Sequence, residues 1–129
     1  MSVFALPRWV FLLIACAAVL LCGCSRNRYP VIEQMAAGDV EEGRHLTYAF
    51  ACGTCHKIPG VSGATGNVGP PLTGFAARAY IAGALANTPE NLSRWIMHPQ
   101  LVEPGTVMPN LDVSPEQSRH IAAFLYTLR

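Results

Sequence analysis

Cys52-Gly53-Thr54-Cys55-His56 places two thiols three positions apart, with an imidazole directly after the second. That spacing suits a porphyrin, because the two sulfurs can add to its two vinyl groups while His56 supplies an axial nitrogen to the iron. Cys52, Cys55 and His56 are therefore expected to bind one covalent haem c. Two other uses of a CxxC pair fit less well. A structural zinc site needs two further thiolate or imidazole ligands at matching spacing, and a thioredoxin-like redox pair sits in a βαβ pattern. Neither context accompanies this motif.

The remaining cysteines, Cys16, Cys22 and Cys24, lie in an amino-terminal segment where Arg8 precedes an apolar run over residues 9–23. The run is shorter than the ~20 residues a membrane-spanning helix needs, so it reads as a signal-peptide core. It ends in Leu21-Cys22-Gly23-Cys24-Ser25, which resembles a bacterial lipoprotein box, with Cys24 as the lipidated residue that becomes the new amino terminus. Cleavage there discards Cys16 and Cys22. Lipid then occupies Cys24 and haem occupies Cys52 and Cys55, which leaves no free thiol in an oxidising compartment.

The expected organisation is a lipoprotein signal peptide over residues 1–23, a lipid-anchored flexible tether over 24–38, and a monohaem domain over 39–129. The tether, with Arg26, Arg28 and Pro30, would reach roughly 20 Å as a flexible chain. Once Arg8 is removed, acidic and basic residues are equal in number, which argues against nucleic-acid binding and against a strongly charged docking face. A domain this small has a limited core, and a buried haem supplies much of its apolar surface.

The pattern is all-α. One helix is predicted to begin at Asp39, which forms a capping-box pair with Glu42, and to carry Cys52 at its end. A second begins at Thr88-Pro89-Glu90, presents Leu92, Trp95 and Ile96 at helical spacing, and is ended by Pro99. A third begins at Ser114-Pro115-Glu116-Gln117 and places Ile121, Phe124, Leu125 and Leu128 on one face. Residues 58–87, rich in Gly and Pro, read as loop with one short helix around 75–85, and no strand pattern persists.

The second axial ligand must come from Met35, Met97, Met108, His45, His98 or His120. Met35 lies in the tether. Met97 adjoins the apolar Trp95/Ile96 stripe, where a packing role is the default. His45 and His120 sit on helix faces among charged residues and read as solvated surface, and His98 reads as a helix-end residue. Met108 lies in Gly105-Thr106-Val107-Met108-Pro109, an irregular segment between the second and third helices that can fold over the haem, and His/Met ligation suits a high-potential carrier. Met108 is the expected ligand.

Gly43-Arg44-His45-Leu46 ahead of CxxCH, Gly69-Pro70-Pro71-Leu72-Thr73-Gly74-Phe75 with Arg78 after it, Asn87-Thr88-Pro89-Glu90-Asn91-Leu92 leading to Trp95-Ile96, Pro99-Gln100, Pro104-Gly105-Thr106-Val107-Met108-Pro109 and Ile121-Ala122-Ala123-Phe124-Leu125 follow one another in order. Together they resemble class I cytochrome c. More narrowly, they are similar to the haem domains fused to subunit II of some cytochrome c oxidases. The resemblance implies a small fold of three main helices and Gly/Pro-rich loops around one haem.

It further implies that the Pro70 carbonyl accepts the His56 ring N–H, that Leu72 and Phe75 pack on the haem, and that Arg78 and Trp95 lie near its propionates. Gly43 would let the first helix cross the last closely, near Phe124. Thr47 departs from the pattern: it stands where the family often carries phenylalanine, with Tyr48 and Phe50 as the neighbouring aromatics.

The implied function is single-electron transfer through His/Met-ligated iron, by a carrier and not an enzyme. The carrier would be exported and anchored by lipid to a bacterial membrane, in the periplasm or on the outer face of the cell membrane. Its partners would be respiratory redox proteins, a terminal oxidase or a dehydrogenase. The competing readings are a haem relay subunit within such a complex, and a catalytic or gas-binding haem with Thr106 and Asn110 as distal polar groups.

Overall fold

The computed structural model describes residues 38–129. The signal peptide, Cys24, Met35 and all of the tether before Gly38 lie outside the described residues. Among the described residues no helix is long and apolar enough to cross a membrane.

Among the described residues four helices carry the fold: α1 (Val40–Ala49), α2 (Pro89–Met97), α3 (Pro99–Val102) and α4 (Pro115–Leu125). Their starts follow from side-chain capping of backbone N–H groups that have no partner within the helix. Asp39 Oδ1 accepts the Glu42 N–H at 2.7 Å, and Thr88 Oγ1 accepts the Asn91 N–H at 3.3 Å. Ser114 forms the full reciprocal box, its Oγ accepting from Gln117 N–H at 3.2 Å while Gln117 Oε1 accepts from Ser114 N–H at 2.9 Å. Only half of the expected Asp39/Glu42 box forms, because the Asp39 N–H donates to His120 Nδ1 at 2.8 Å. His120, expected on the solvated surface, is half-buried and joins the start of α1 to α4.

The main packing contact is α1 against α4, with α2 also lying on α4. Gly43 makes the crossing possible: a Cβ there would sit 1.9 Å from the His120 carbonyl oxygen and 2.9 Å from Phe124 Cβ. Thr47, the departure from the family pattern, is 1% exposed at this seam. Its hydroxyl donates to the Gly43 carbonyl at 2.7 Å, so no polar atom is left unpaired. Tyr48 faces solvent at 62% exposure, and Phe50 lines a cavity on the other side of the helix end. Leu46, Leu92, Ile96, Ile121, Phe124 and Leu125 form the centre of the core.

The end of the first helix and the stretch after residue 74 depart from expectation. α1 stops at Ala49, and Ala51, in the left-handed region at φ 53°, turns the chain into a separate 3₁₀ turn, Cys52–Thr54. The expected short helix over 75–85 is a 3₁₀ turn, Phe75–Ala77, followed by a two-stranded antiparallel ribbon of β1 (Tyr80–Ile81) and β2 (Leu85–Ala86). Its turn needs positive φ at Ala82 and Gly83, a conformation that an Ala-Gly pair signals weakly compared with Asn-Gly. Pro99 follows α2 as expected, and it also opens α3.

Asn87 ties these pieces together. Its amide nitrogen donates to the Phe75 carbonyl at 3.1 Å and the Arg78 carbonyl at 3.0 Å, and its oxygen accepts from the Tyr126 hydroxyl at 2.8 Å.

Candidate haem site

A cavity of about 420 Å³ opens between the 3₁₀ turns, the ribbon, α2 and the segment ahead of α4. All nine expected haem-site residues line it: Cys52, Cys55, His56, Pro70, Leu72, Phe75, Arg78, Trp95 and Met108. The fold brings them together from four separate stretches of chain.

The motif's geometry comes from its turn. Thr54 N–H donates to the Ala51 carbonyl at 3.0 Å, Cys55 N–H to the Cys52 carbonyl at 3.2 Å, and His56 N–H to the same carbonyl at 3.0 Å. This winding brings both sulfurs and the imidazole to one cavity. The stretch that follows is laced back onto the motif, with Gly69 N–H donating to the Cys55 carbonyl at 2.9 Å and Leu72 N–H to the Lys57 carbonyl at 2.8 Å.

His56 Nδ1 lies 2.8 Å from the Pro70 carbonyl oxygen. A carbonyl can only accept, so Nδ1 carries the proton and Nε2 keeps its lone pair for a metal. The bond also fixes the ring's orientation. Gly69 supports it by having no side chain: a Cβ there would lie 2.3 Å from His56 Cε1.

On the rest of the cavity wall, Phe75 is buried and meets Tyr126 edge-on with ring centroids 5.8 Å apart. The Arg78 guanidinium stands 5.6 Å over the Phe75 ring and donates to the Pro71 and Thr73 carbonyls, which holds its charge at the cavity wall. Trp95 comes from α2 and packs against the core. Met108 arrives on a loop, its N–H bonded to Thr106 Oγ1 at 3.2 Å and its carbonyl to Gln100 Nε2 at 2.7 Å.

Sequence reasoning did not find several lining residues, among them Val68, Tyr80, Ile81, Val107 and Leu111. Loop valines and leucines carry no periodic signal, and Tyr80 and Ile81 reach the cavity only through the ribbon. Gln100 was visible within the Pro99-Gln100 motif, but nothing in sequence pairs a glutamine side chain with a particular carbonyl.

The donor set fits haem. Two thiols, an imidazole with a free Nε2 and a thioether converge on a largely apolar cavity, in which Arg78 and Glu103 are the lining residues with formal charge. The alternatives fit less well. Burial pushes the Cys52 thiol up, whereas a redox CxxC works through a lowered thiol pKa. Among the described residues no cluster of three or more His, Cys, Asp or Glu side chains could hold a metal ion such as zinc.

The family model described as Cytochrome c matches residues 40–129. The chain belongs to the cytochrome c family. It is similar to cytochrome c oxidase subunit 2 of Alkalihalophilus pseudofirmus, 34% identical over 118 residues that cover 84% of this chain and 34% of that protein. It is also similar to cytochrome c2 of Rhodopila globiformis, 35% identical over 107 residues that cover 71% of this chain and 95% of that protein. The chain thus spans about a third of the oxidase subunit's length and nearly all of the cytochrome c2. Membership in the cytochrome c family makes this a haem protein, with covalent haem c as its cofactor.

Proposed function

We propose that the protein is a membrane-tethered monohaem cytochrome c that passes single electrons within a respiratory chain, with a terminal oxidase as acceptor. The observation that carries the reading is the meeting of the His56 imidazole, proton-fixed by Pro70, with Met108 in one apolar cavity. Cys52 and Cys55 carry the covalent links, and His56 and Met108 hold the iron. Leu72 and Phe75 pack on the macrocycle, while Arg78 and Trp95 serve its propionates. When bound, haem supplies one-electron exchange between Fe(II) and Fe(III).

The residues' own contributions follow from their positions. Two protein ligands leave no open metal position for a substrate, and keeping both ligands in either oxidation state keeps reorganisation small. The thioether and the apolar wall favour a raised potential. Thr106 and Asn110, the candidate distal groups of a catalytic haem, are bonded within their own loop to the N–H groups of Met108 and Asp112. At the cavity mouth Val68, Tyr80 and Val107 are exposed, which suits a small, weak contact of low charge.

A lipid on Cys24 would hold the domain near its partner and raise the effective concentration. Mass spectrometry of the amino-terminal peptide tests the anchor: diacylglyceryl Cys24 is expected, and an unmodified Cys24 or a retained Arg8 contradicts it. For the acceptor, the reduced protein should support cyanide-sensitive oxygen uptake by oxidase-containing membranes, and no uptake would refute the assignment.

The likeness to an oxidase subunit favours one other reading, a relay subunit held permanently in a complex. A partner that stays stoichiometric through detergent purification would select it over a carrier that dissociates.

A further inference from the structure

Between α3 and α4 the segment that carries Met108 forms neither helix nor strand, so its shape depends on individual hydrogen bonds. Thr106 N–H donates to the Glu103 carbonyl at 3.0 Å, Met108 N–H to Thr106 Oγ1 at 3.2 Å, and Asp112 N–H to Asn110 Oδ1 at 2.9 Å. Each joins residues two or three positions apart and moves with the loop. The Gln100 amide acts differently. Its Nε2 donates to the Met108 carbonyl at 2.7 Å across eight residues, from a helix to the loop. Among the described residues it is the hydrogen bond that ties Met108 to an element outside its own loop.

The helix is well placed to act as an anchor. α3 is rooted by the buried Pro99 and packs against α2, whose Leu92 and Ile96 lie in the core. The position of α2 is therefore passed through Gln100 to the residue that faces the cavity.

We propose that Gln100 is a positioning residue that latches the Met108 loop and sets how often the thioether leaves its place. The inference rests on the reading of Met108 as the second axial ligand. Removing the amide leaves the loop's local bonds intact and takes away its tie to the helices, while Gln100 itself is exposed and fills no core space. Loss of one such bond should raise the released population about 5-fold.

The test uses the full-length ferric holoprotein with imidazole as the probe. At saturating imidazole the displacement rate reports departure of Met108, followed by loss of the methionine-to-iron charge-transfer band. Gln100→Ala is expected to raise this limiting rate about 5-fold. Gln100→Glu should do the same at neutral pH, because a carboxylate cannot donate to a carbonyl. Gln100→Arg should return the rate toward the parent, since a guanidinium donates and does not ligate iron. Denaturant midpoints followed by far-UV circular dichroism serve as the control for global stability.

An unchanged rate in Gln100→Ala overturns the latch. So does a rise that Gln100→Arg fails to reverse, or one explained in full by an equal loss of global stability. A parent protein without the charge-transfer band overturns the ligand reading together with the latch. A parent with the band and no response to substitution overturns the latch alone.

Discussion

Gly43→Ala tests the helix crossing on which the site is built. A Cβ at Gly43 would lie 1.9 Å from the His120 carbonyl oxygen, 2.5 Å from its carbon and 2.9 Å from Phe124 Cβ. Ordinary contact is roughly 3.5 Å, so the helices must separate by more than an ångström, and two of the three clashing atoms are backbone that no rotamer change can move. Overpacking of this kind costs ~1–3 kcal/mol or somewhat more, and the upper end is expected where the obstruction is backbone. Against it stands the better helix propensity of alanine, ~1 kcal/mol.

The net loss should be ~1–3 kcal/mol, or a fall in Tm of roughly 5–20 °C for a domain of this size. Thermal and denaturant unfolding of the holoprotein, followed by far-UV circular dichroism, would measure it. A variant as stable as the parent, or more stable by the propensity term, would refute the close crossing.

Asn87→Ala leaves the Phe75 and Arg78 carbonyls and the Tyr126 hydroxyl without their shared partner; a loss of ~2–4 kcal/mol is expected in denaturant titrations. Tyr126 is pushed up to about 12 by burial, with Glu90 adding to the effect. Its folded-state pKa lies above the unfolded value, so its contribution is present below about pH 10 and is lost as pH rises toward 12, by roughly 2–3 kcal/mol. Tyr126→Phe should lose that pH dependence, which unfolding midpoints across the alkaline range would reveal, and should be less stable than the parent at pH 7 because it removes the hydrogen bond to Asn87. Met108→Ala should lose low-spin character and fall in reduction potential in voltammetry; an unchanged spectrum and potential would refute the ligand assignment. Gly69→Ala should displace the His56 ring, since its Cβ would meet Cε1 at 2.3 Å, and should lower the yield of low-spin holoprotein measured by visible absorbance.

Features set by local chemistry were legible in sequence. The caps at Thr88 and Ser114 form as expected because an oxygen-bearing side chain followed by proline satisfies helix-end donors in any tertiary setting. The nine cavity residues could be named because the motifs that carry them occur in family order. What sequence did not reveal depends on distant partners. The Asp39 N–H was won by His120, 81 positions away, which also explains why a histidine expected at the surface is half-buried. The ribbon rests on two positive-φ positions in Ala82-Gly83, and β1 and β2 are too short to show alternation. Thr47 could not be placed from its type alone. At the seam its hydroxyl is satisfied by the helix's own Gly43 carbonyl, and Tyr48 remains in solvent.

The proposed carrier depends on a metal site closed by His56 and Met108. Visible spectra of the matured protein, oxidised, reduced and exposed to carbon monoxide, test it most directly. A low-spin haem with a methionine-to-iron charge-transfer band when oxidised, and no carbon monoxide complex when reduced, is expected. A high-spin spectrum, or ready carbon monoxide binding, would contradict it and point to a catalytic or gas-binding haem.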